Sequence, residues 1–182
     1  EFGRFLDENS DIAVGILDDL CTNIVGTGVG IEPMAKLTSG TAADSTNQDL
    51  ADLWDEFWRS PHVTGEIPGT ELERVICRSW LRDGEVFIQH IPRNAPAGML
   101  PYSLMPLESD FVPFDLIEPK SGTVHGVIKD RFGRPTAYHV YTEHPGDSAT
   151  SMLGAGLYPE TVIVGAASMT HLKFTRRLHQ TR

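Results

Sequence analysis

The spacing of apolar residues changes at Gly84, and that change constrains the fold more than any other feature of the chain. Before it, apolar side chains recur at three- and four-residue intervals; after it, they come in short runs broken by Gly and Pro. Ile12, Ile16, Leu17, Leu20 and Ile24 form one stripe, which predicts a helix over residues 11–23 with Ser10 as its cap and Gly26 as its end. Leu50, Leu53, Trp54, Phe57 and Trp58 predict a second helix, stopped by Ser60-Pro61. Ser45 with Gln48, or Thr46 with Asp49, has the spacing of a capping box for it. A third helix over residues 71–83 begins at Thr70, with Glu73 completing another capping box, and ends at Gly84; its expected buried face is Leu72, Val75, Ile76 and Trp80. All three stripes read as ordinary core stripes. Between the first two helices, residues 36–47 are rich in Thr, Ser, Ala, Gly and Asp and read as a mobile loop.

Past Gly84, the run Val86-Phe87-Ile88 is apolar on both sides and predicts a central strand over residues 85–91. Pro92, Pro96 and Pro101 punctuate a loop before a strand at 102–105, and 111–117 reads as another extended stretch. The runs 124–129 and 136–142, joined through Asp130-Arg131-Phe132-Gly133-Arg134-Pro135, predict a β-hairpin. Residues 143–156 read as an exposed loop, and 161–164 and 170–175 supply the last strands. Helices first and strands afterwards indicate an α+β fold, with N-terminal helices packed on a mostly antiparallel or mixed β-sheet containing a β-hairpin. With 182 residues the chain is expected to form a single domain. It opens Glu1-Phe2-Gly3-Arg4, with neither an initiator Met nor a signal-peptide pattern, which reads as a fragment or a processed chain. No apolar run is long enough to span a membrane.

The formal charge of −10 is concentrated early: residues 1–60 hold twelve Asp or Glu against Arg4, Lys36 and Arg59. Such a balance offers no footprint for neutralising phosphates, so tight duplex binding by this chain alone is not expected. The default reading of that charge is an acidic helical surface that keeps a chain in solution.

Motifs that carry chemistry are not recognisable. Gly26-Thr27-Gly28-Val29-Gly30 follows a helix and precedes an extended segment, the reverse of the strand, glycine turn, helix order of a dinucleotide site, so it reads as a helix end and tight turn. The seven histidines are scattered, without HExxH; His125 and His139 are placed to face one another across the hairpin. Cys21 and Cys77 read as two buried thiols of a reducing compartment. Asp18-Asp19 and the group Asp52, Asp55, Glu56 read as solvated charge on helices. No catalytic, cofactor-binding or metal-ligating residue is nominated, and no cofactor is expected.

The order of segments resembles the lambda-like family of tailed-phage portal proteins over nearly the whole chain. The resemblance rests on Asn23-Ile24-Val25-Gly26-Thr27-Gly28, then Leu53-Trp54-Asp55-Glu56-Phe57, then Arg78-Ser79-Trp80-Leu81-Arg82-Asp83-Gly84-Glu85-Val86-Phe87. Phe114-Asp115-Leu116-Ile117-Glu118-Pro119 follows, and then Gly126 to Val140, His144-Pro145-Gly146-Asp147 and Thr170-His171-Leu172-Lys173-Phe174. Gly165-Ala166-Ala167-Ser168 departs from it, standing where a more polar turn is expected. The resemblance implies a structural subunit of a ring, usually a dodecamer, at one capsid vertex, through which terminase drives DNA and to which head-tail connector proteins and the tail attach. It implies no catalytic residue. The chain would correspond to the N-terminal part of the wing, with stem, clip and crown absent, and would be mainly monomeric in dilute solution. Arg176 and Arg177, set against the acidic helices, are candidates for the contact between sister subunits. The other readings are a different virion or tail assembly module of α+β type, and a hydrolase built on the acidic helices.

Overall fold

The computed structural model describes residues 2–92, 100–146 and 160–182. Four α-helices come first: α1 (Phe2–Asn9), α2 (Asp11–Val25), α3 (Asp44–Trp58) and α4 (Gly69–Asp83). Eight strands follow among the described residues: β1 (Glu85–Pro92), β2 (Tyr102–Leu107), β3 (Ile117–Glu118), β4 (Thr123–Val124), β5 (Val127–Lys129), β6 (Pro135–Tyr141), β7 (Thr161–Gly165) and β8 (Met169–Lys173). The class is α+β, as the change at Gly84 predicts, and Gly84 itself caps α4 in the left-handed conformation.

The strands divide into two antiparallel sheets, ordered β2-β1-β8 and β3-β4-β5-β6-β7. As expected, β1 is central: Phe87 stands opposite Leu107 on one side and His171 on the other. The core fills the space between the sheets, with Phe87, Leu107 and Met169 from the first meeting Val127, Tyr138, Val140 and Val164 from the second. Val112 joins them. Ala166–Ser168, the departure noted above, form a 3-10 turn that carries the chain from β7 in one sheet to β8 in the other. A small apolar turn suits that place, because Ala166 packs against the core.

Several local expectations fail, each for a physical reason. The stretch 111–117 is not one strand: Ser109–Phe111 is a 3-10 turn, and pairing begins only at Ile117. The run 124–129 is two strands, because His125 and Gly126 both have positive φ, 54° and 74°, and fold the chain back on itself between β4 and β5. A Cβ on Gly126 would sit 2.8 Å from Val112 Cγ1 and 2.9 Å from the Pro113 carbonyl oxygen, so only glycine fits. His125 therefore occupies a turn, stacked on Phe114 at 4.2 Å, while His139 pairs in register with Ile163; the two do not face each other. The hairpin β5–β6 forms as predicted.

Neither α3 nor α4 uses its expected capping box. α3 starts after Ala43 without a side-chain cap, and Gln48 instead donates to Asp52 at 2.8 Å. α4 starts after Pro68, and Glu73 reaches away to accept from the Val29 backbone N–H at 3.1 Å. The glycine-rich turn thus does meet an anion, a carboxylate of its own chain. Residues 36–42 close as a tight turn, with Lys36 bridging Ala42 and Leu37 N–H donating to Thr41 at 2.9 Å. The expected loop at 143–156 lies in part, from residue 147 on, outside the described residues, as does Pro96.

Candidate functional site

α4 is the hub of the helical layer, and its polar side chains form a ladder of charge. Arg78 and Arg82, one turn apart, reach Asp7 of α1, and Arg78 also pairs with Asp18 of α2. Arg82 donates to Asp83 at 2.8 Å and to Glu108 at 2.9 Å. Arg4 closes the ring onto Asp83, Glu108 and Asp110. The Arg78 hydrogen bond holds the Asp7 carboxyl below the usual carboxylate range. Burial alone would raise Asp83, but hydrogen bonds from Arg82 and Arg4 outweigh it and hold it low as well. These groups clamp α1 across α4 and onto the turn after β2. That explains why α1 escaped the sequence reading: ion pairs secure it, and its Phe2 and Phe5 are exposed.

A second node ties the two sheets. Glu85, at the start of β1, accepts from His171 Nε2 at 2.8 Å and from Arg182 Nε at 2.8 Å. The guanidinium of Arg182 also donates to the carbonyls of Val112 and Ser109, each at 2.7 Å, and lies over the Phe87 ring. Burial pushes Glu85 upward, but its two donors and the charge of Arg182 bring it below the ordinary range; burial lowers His171, which stays neutral and donates. Sequence reading missed this node, since nothing in spacing brings residues 85, 171 and 182 together.

Between the two clusters opens a cleft of about 620 Å³ lined by Asp83, Glu85, Asp110, Asp115, Tyr141 and Arg182, among others. Asp83 and Glu85 are each held ionised by arginine, so neither is poised to exchange a proton near neutral pH. Among the described residues no three of His, Cys, Asp and Glu gather as ligands for a metal. Cys21 and Cys77 are buried, free and in contact across the α2–α4 seam; burial and the neighbouring Cys21 push the Cys77 thiol up to about 11.

The exposed surface is where the chain departs from a self-sufficient domain. α2 packs on α4 and α1, and on it Cys21 is buried and Val14, Leu17 and Val25 are half-buried, a face rotated from the expected one. Ile12 (77 % exposed), Ile16, Leu20 and Ile24 are left facing solvent, and Val29, Ile31, Met34 and Leu37 extend the apolar surface. Leu50 and Leu53 on α3 and Val75 on α4 are exposed too, so the three stripes are only partly core. α3 is fastened mainly at its C-terminal end, where Phe57 meets Tyr102 and the Trp58 indole lies on Gly69, 2.2 Å from where a Cβ would be. So much apolar surface on adjoining elements is more than the singly scattered exposed apolar residues usual on a monomer.

One comparison decides what kind of assembly this is. The model of the family described as phage portal protein, lambda family, matches residues 3–182. The chain belongs to that family. No curated protein matches it. Lambda-family portal proteins are structural proteins of the virion at the capsid vertex, working as oligomers alongside capsid and terminase. In this portal chain no helix among the described residues is long and apolar enough to cross a membrane. Arg176 and Arg177, the sequence candidates, are exposed; the segment bearing them leaves β8 beside α4, where Phe174 stacks on Trp80 at 4.2 Å, and the Arg176 backbone N–H donates to Gln180 at 2.8 Å.

Proposed function

We propose that this portal chain is the N-terminal part of the wing of a ring subunit, a single domain whose work is to present shaped surfaces to sister subunits and to hold no reacting group. The observation that carries the reading is the solvent-facing isoleucine stripe of α2, next to a helical layer whose ion pairs are spent internally. Apolar area of that extent is stable only when covered, and a head-to-tail contact repeated around an axis covers it on every subunit. The ring would be a dodecamer when the subunit is complete, with terminase, capsid and head-tail connector proteins as its partners and DNA passing through without sequence-specific contact.

Arg176 and Arg177 supply positive charge toward a neighbouring acidic helix. Reversing both in the intact subunit should weaken ring formation and flatten its salt dependence; assembly unchanged at every ionic strength would remove them from the contact. Electron microscopy of the full-length subunit tests the reading as a whole. Closed rings with the α1–α4 layer at subunit contacts are expected, and a full-length product that stays monomeric would refute it.

A further inference from the structure

The β5–β6 hairpin ends in a turn built more firmly than its exposure requires. Asp130 accepts through its Oδ1 from the backbone N–H groups of Phe132 and Arg134, each at 2.9 Å, and its own N–H donates to the Arg134 carbonyl at 2.9 Å. The Gly133 N–H closes the turn onto the Asp130 carbonyl at 3.0 Å. On this frame Phe132 is 76 % exposed, with the Arg131 guanidinium 4.5 Å above its ring. Among the described residues neither Arg131 nor Arg134 has a carboxylate partner. A fixed turn that holds one bare aromatic ring between two unpaired arginines has the composition of an interface anchor, because Phe and Arg are enriched at the buried centres of contacts.

A matching surface stands elsewhere on the same chain. From Phe5 to Met34 there is no Lys or Arg, but there are six carboxylates. Asp19 shares a helical face with Ile16 and Ile12, three and seven residues before it, and Asp11 flanks that face at the start of α2. Among the described residues neither Asp11 nor Asp19 makes an ion pair. Apolar surface edged by unpaired carboxylates is the complement of an aromatic ring edged by unpaired arginines.

We infer that the hairpin tip Arg131-Phe132-Gly133-Arg134 docks on the Ile12–Ile16–Leu20 stripe of α2 in a second copy of this chain, Phe132 seated between the isoleucines and the arginines paired with Asp11 and Asp19. The inference rests on the ring reading and names two surfaces of its contact. Because tip and stripe are different patches of one chain, the contact is head to tail and propagates around a ring. A tip of four residues covers far less than a standard interface, so one such contact is weak alone and gains strength when the ring closes.

The test places a photocrosslinking benzoyl-phenylalanine at position 132 of the chain and illuminates it at high protein concentration. Crosslinked peptides should come from residues 11–25 of another copy, identified by mixing isotopically labelled and unlabelled protein. Arg131→Glu with Arg134→Glu, both at exposed positions, should lower the yield about tenfold or more without changing thermal stability, and Asp11→Arg with Asp19→Arg on the partner copy should restore it. Crosslinks to a different surface of another copy would overturn the docking and leave the ring standing. Absence of crosslinks between copies also overturns the docking, whereas microscopy of the full-length subunit judges the ring separately. If the Glu pair at 131 and 134 instead abolishes retention of duplex DNA at low salt while self-crosslinking persists, the tip serves nucleic acid and the inference fails.

Discussion

Replacing Glu85 by Ala is the sharpest test of how the two sheets hold together. The substitution removes the carboxylate paired with Arg182 and the acceptor for His171 Nε2. The Arg182 side chain is only 5 % exposed, so its charge keeps the carbonyls of Val112 and Ser109 but loses its counter-ion in a place water hardly reaches. Breaking a buried pair from one side costs about 3–5 kcal/mol, because the remaining charge is left uncompensated. With a urea slope of roughly 2 kcal/mol/M, the unfolding midpoint should fall by about 1.5–2.5 M. Replacing Glu85 and Arg182 together by Met should cost less than the sum of the single changes, since no stranded charge remains; the two single variants and the double variant form a cycle with a coupling of about 0.5–3 kcal/mol. The measurement is equilibrium urea unfolding followed by tryptophan fluorescence. A midpoint shift for Glu85→Ala below about 0.5 M, or strict additivity in the cycle, would show that the node contributes little.

Three further outcomes are expected. Gly126→Ala should destabilise by about 2–4 kcal/mol, combining a left-handed backbone with overlap on Val112 and Pro113, and should lower the melting temperature in calorimetry. Stability should decline as pH falls: His171 is held below its ordinary 6.5, so its contribution is complete above that value and is lost on acidification, and Asp7, Asp83 and Glu85, all held low, lose theirs as pH falls further through their folded values. Melting temperatures from pH 8 downward should therefore be flat, then fall in two stages, and a maximum on the acid side would contradict the assignment. At pH 8, a Cys77 thiol raised to about 11 is about one part in a thousand thiolate, so Cys77 should react with a disulfide reagent far more slowly in the native protein than in the unfolded chain.

The elements that local pattern defines were legible in the sequence. Ser10 and Gly26 bound α2, Val86-Phe87-Ile88 lies in a central strand, and the β5–β6 hairpin sits where its Gly and Pro put it. Periodicity located α2, α3 and α4 but not which face turns inward. α2 is apolar on two sides, and only packing against α4 and α1 selects Val14, Leu17, Cys21 and Val25 over the isoleucines. Capping boxes failed where a distant group competed, as Val29 did for Glu73. The Glu85–His171–Arg182 node could not be read at all, because partners 86 and 97 residues apart leave no mark in local spacing. The hairpin tip was visible only as a turn; its exposed Phe132 and unpaired arginines needed three dimensions to stand out.

The placement of β8 bears on how a nascent chain completes itself. β1 follows α4 directly, yet one of its two neighbours is β8, with Glu85 opposite Lys173. While ribosomes are still making the intervening residues, the helices and the β1–β2 pair can form, but one flank of β1 keeps its amides and carbonyls open. Such an open flank invites pairing with another nascent chain. Synthesis of Met169–Lys173 closes it, so a polypeptide cut just before Met169 should aggregate even though most of its core residues have already been made.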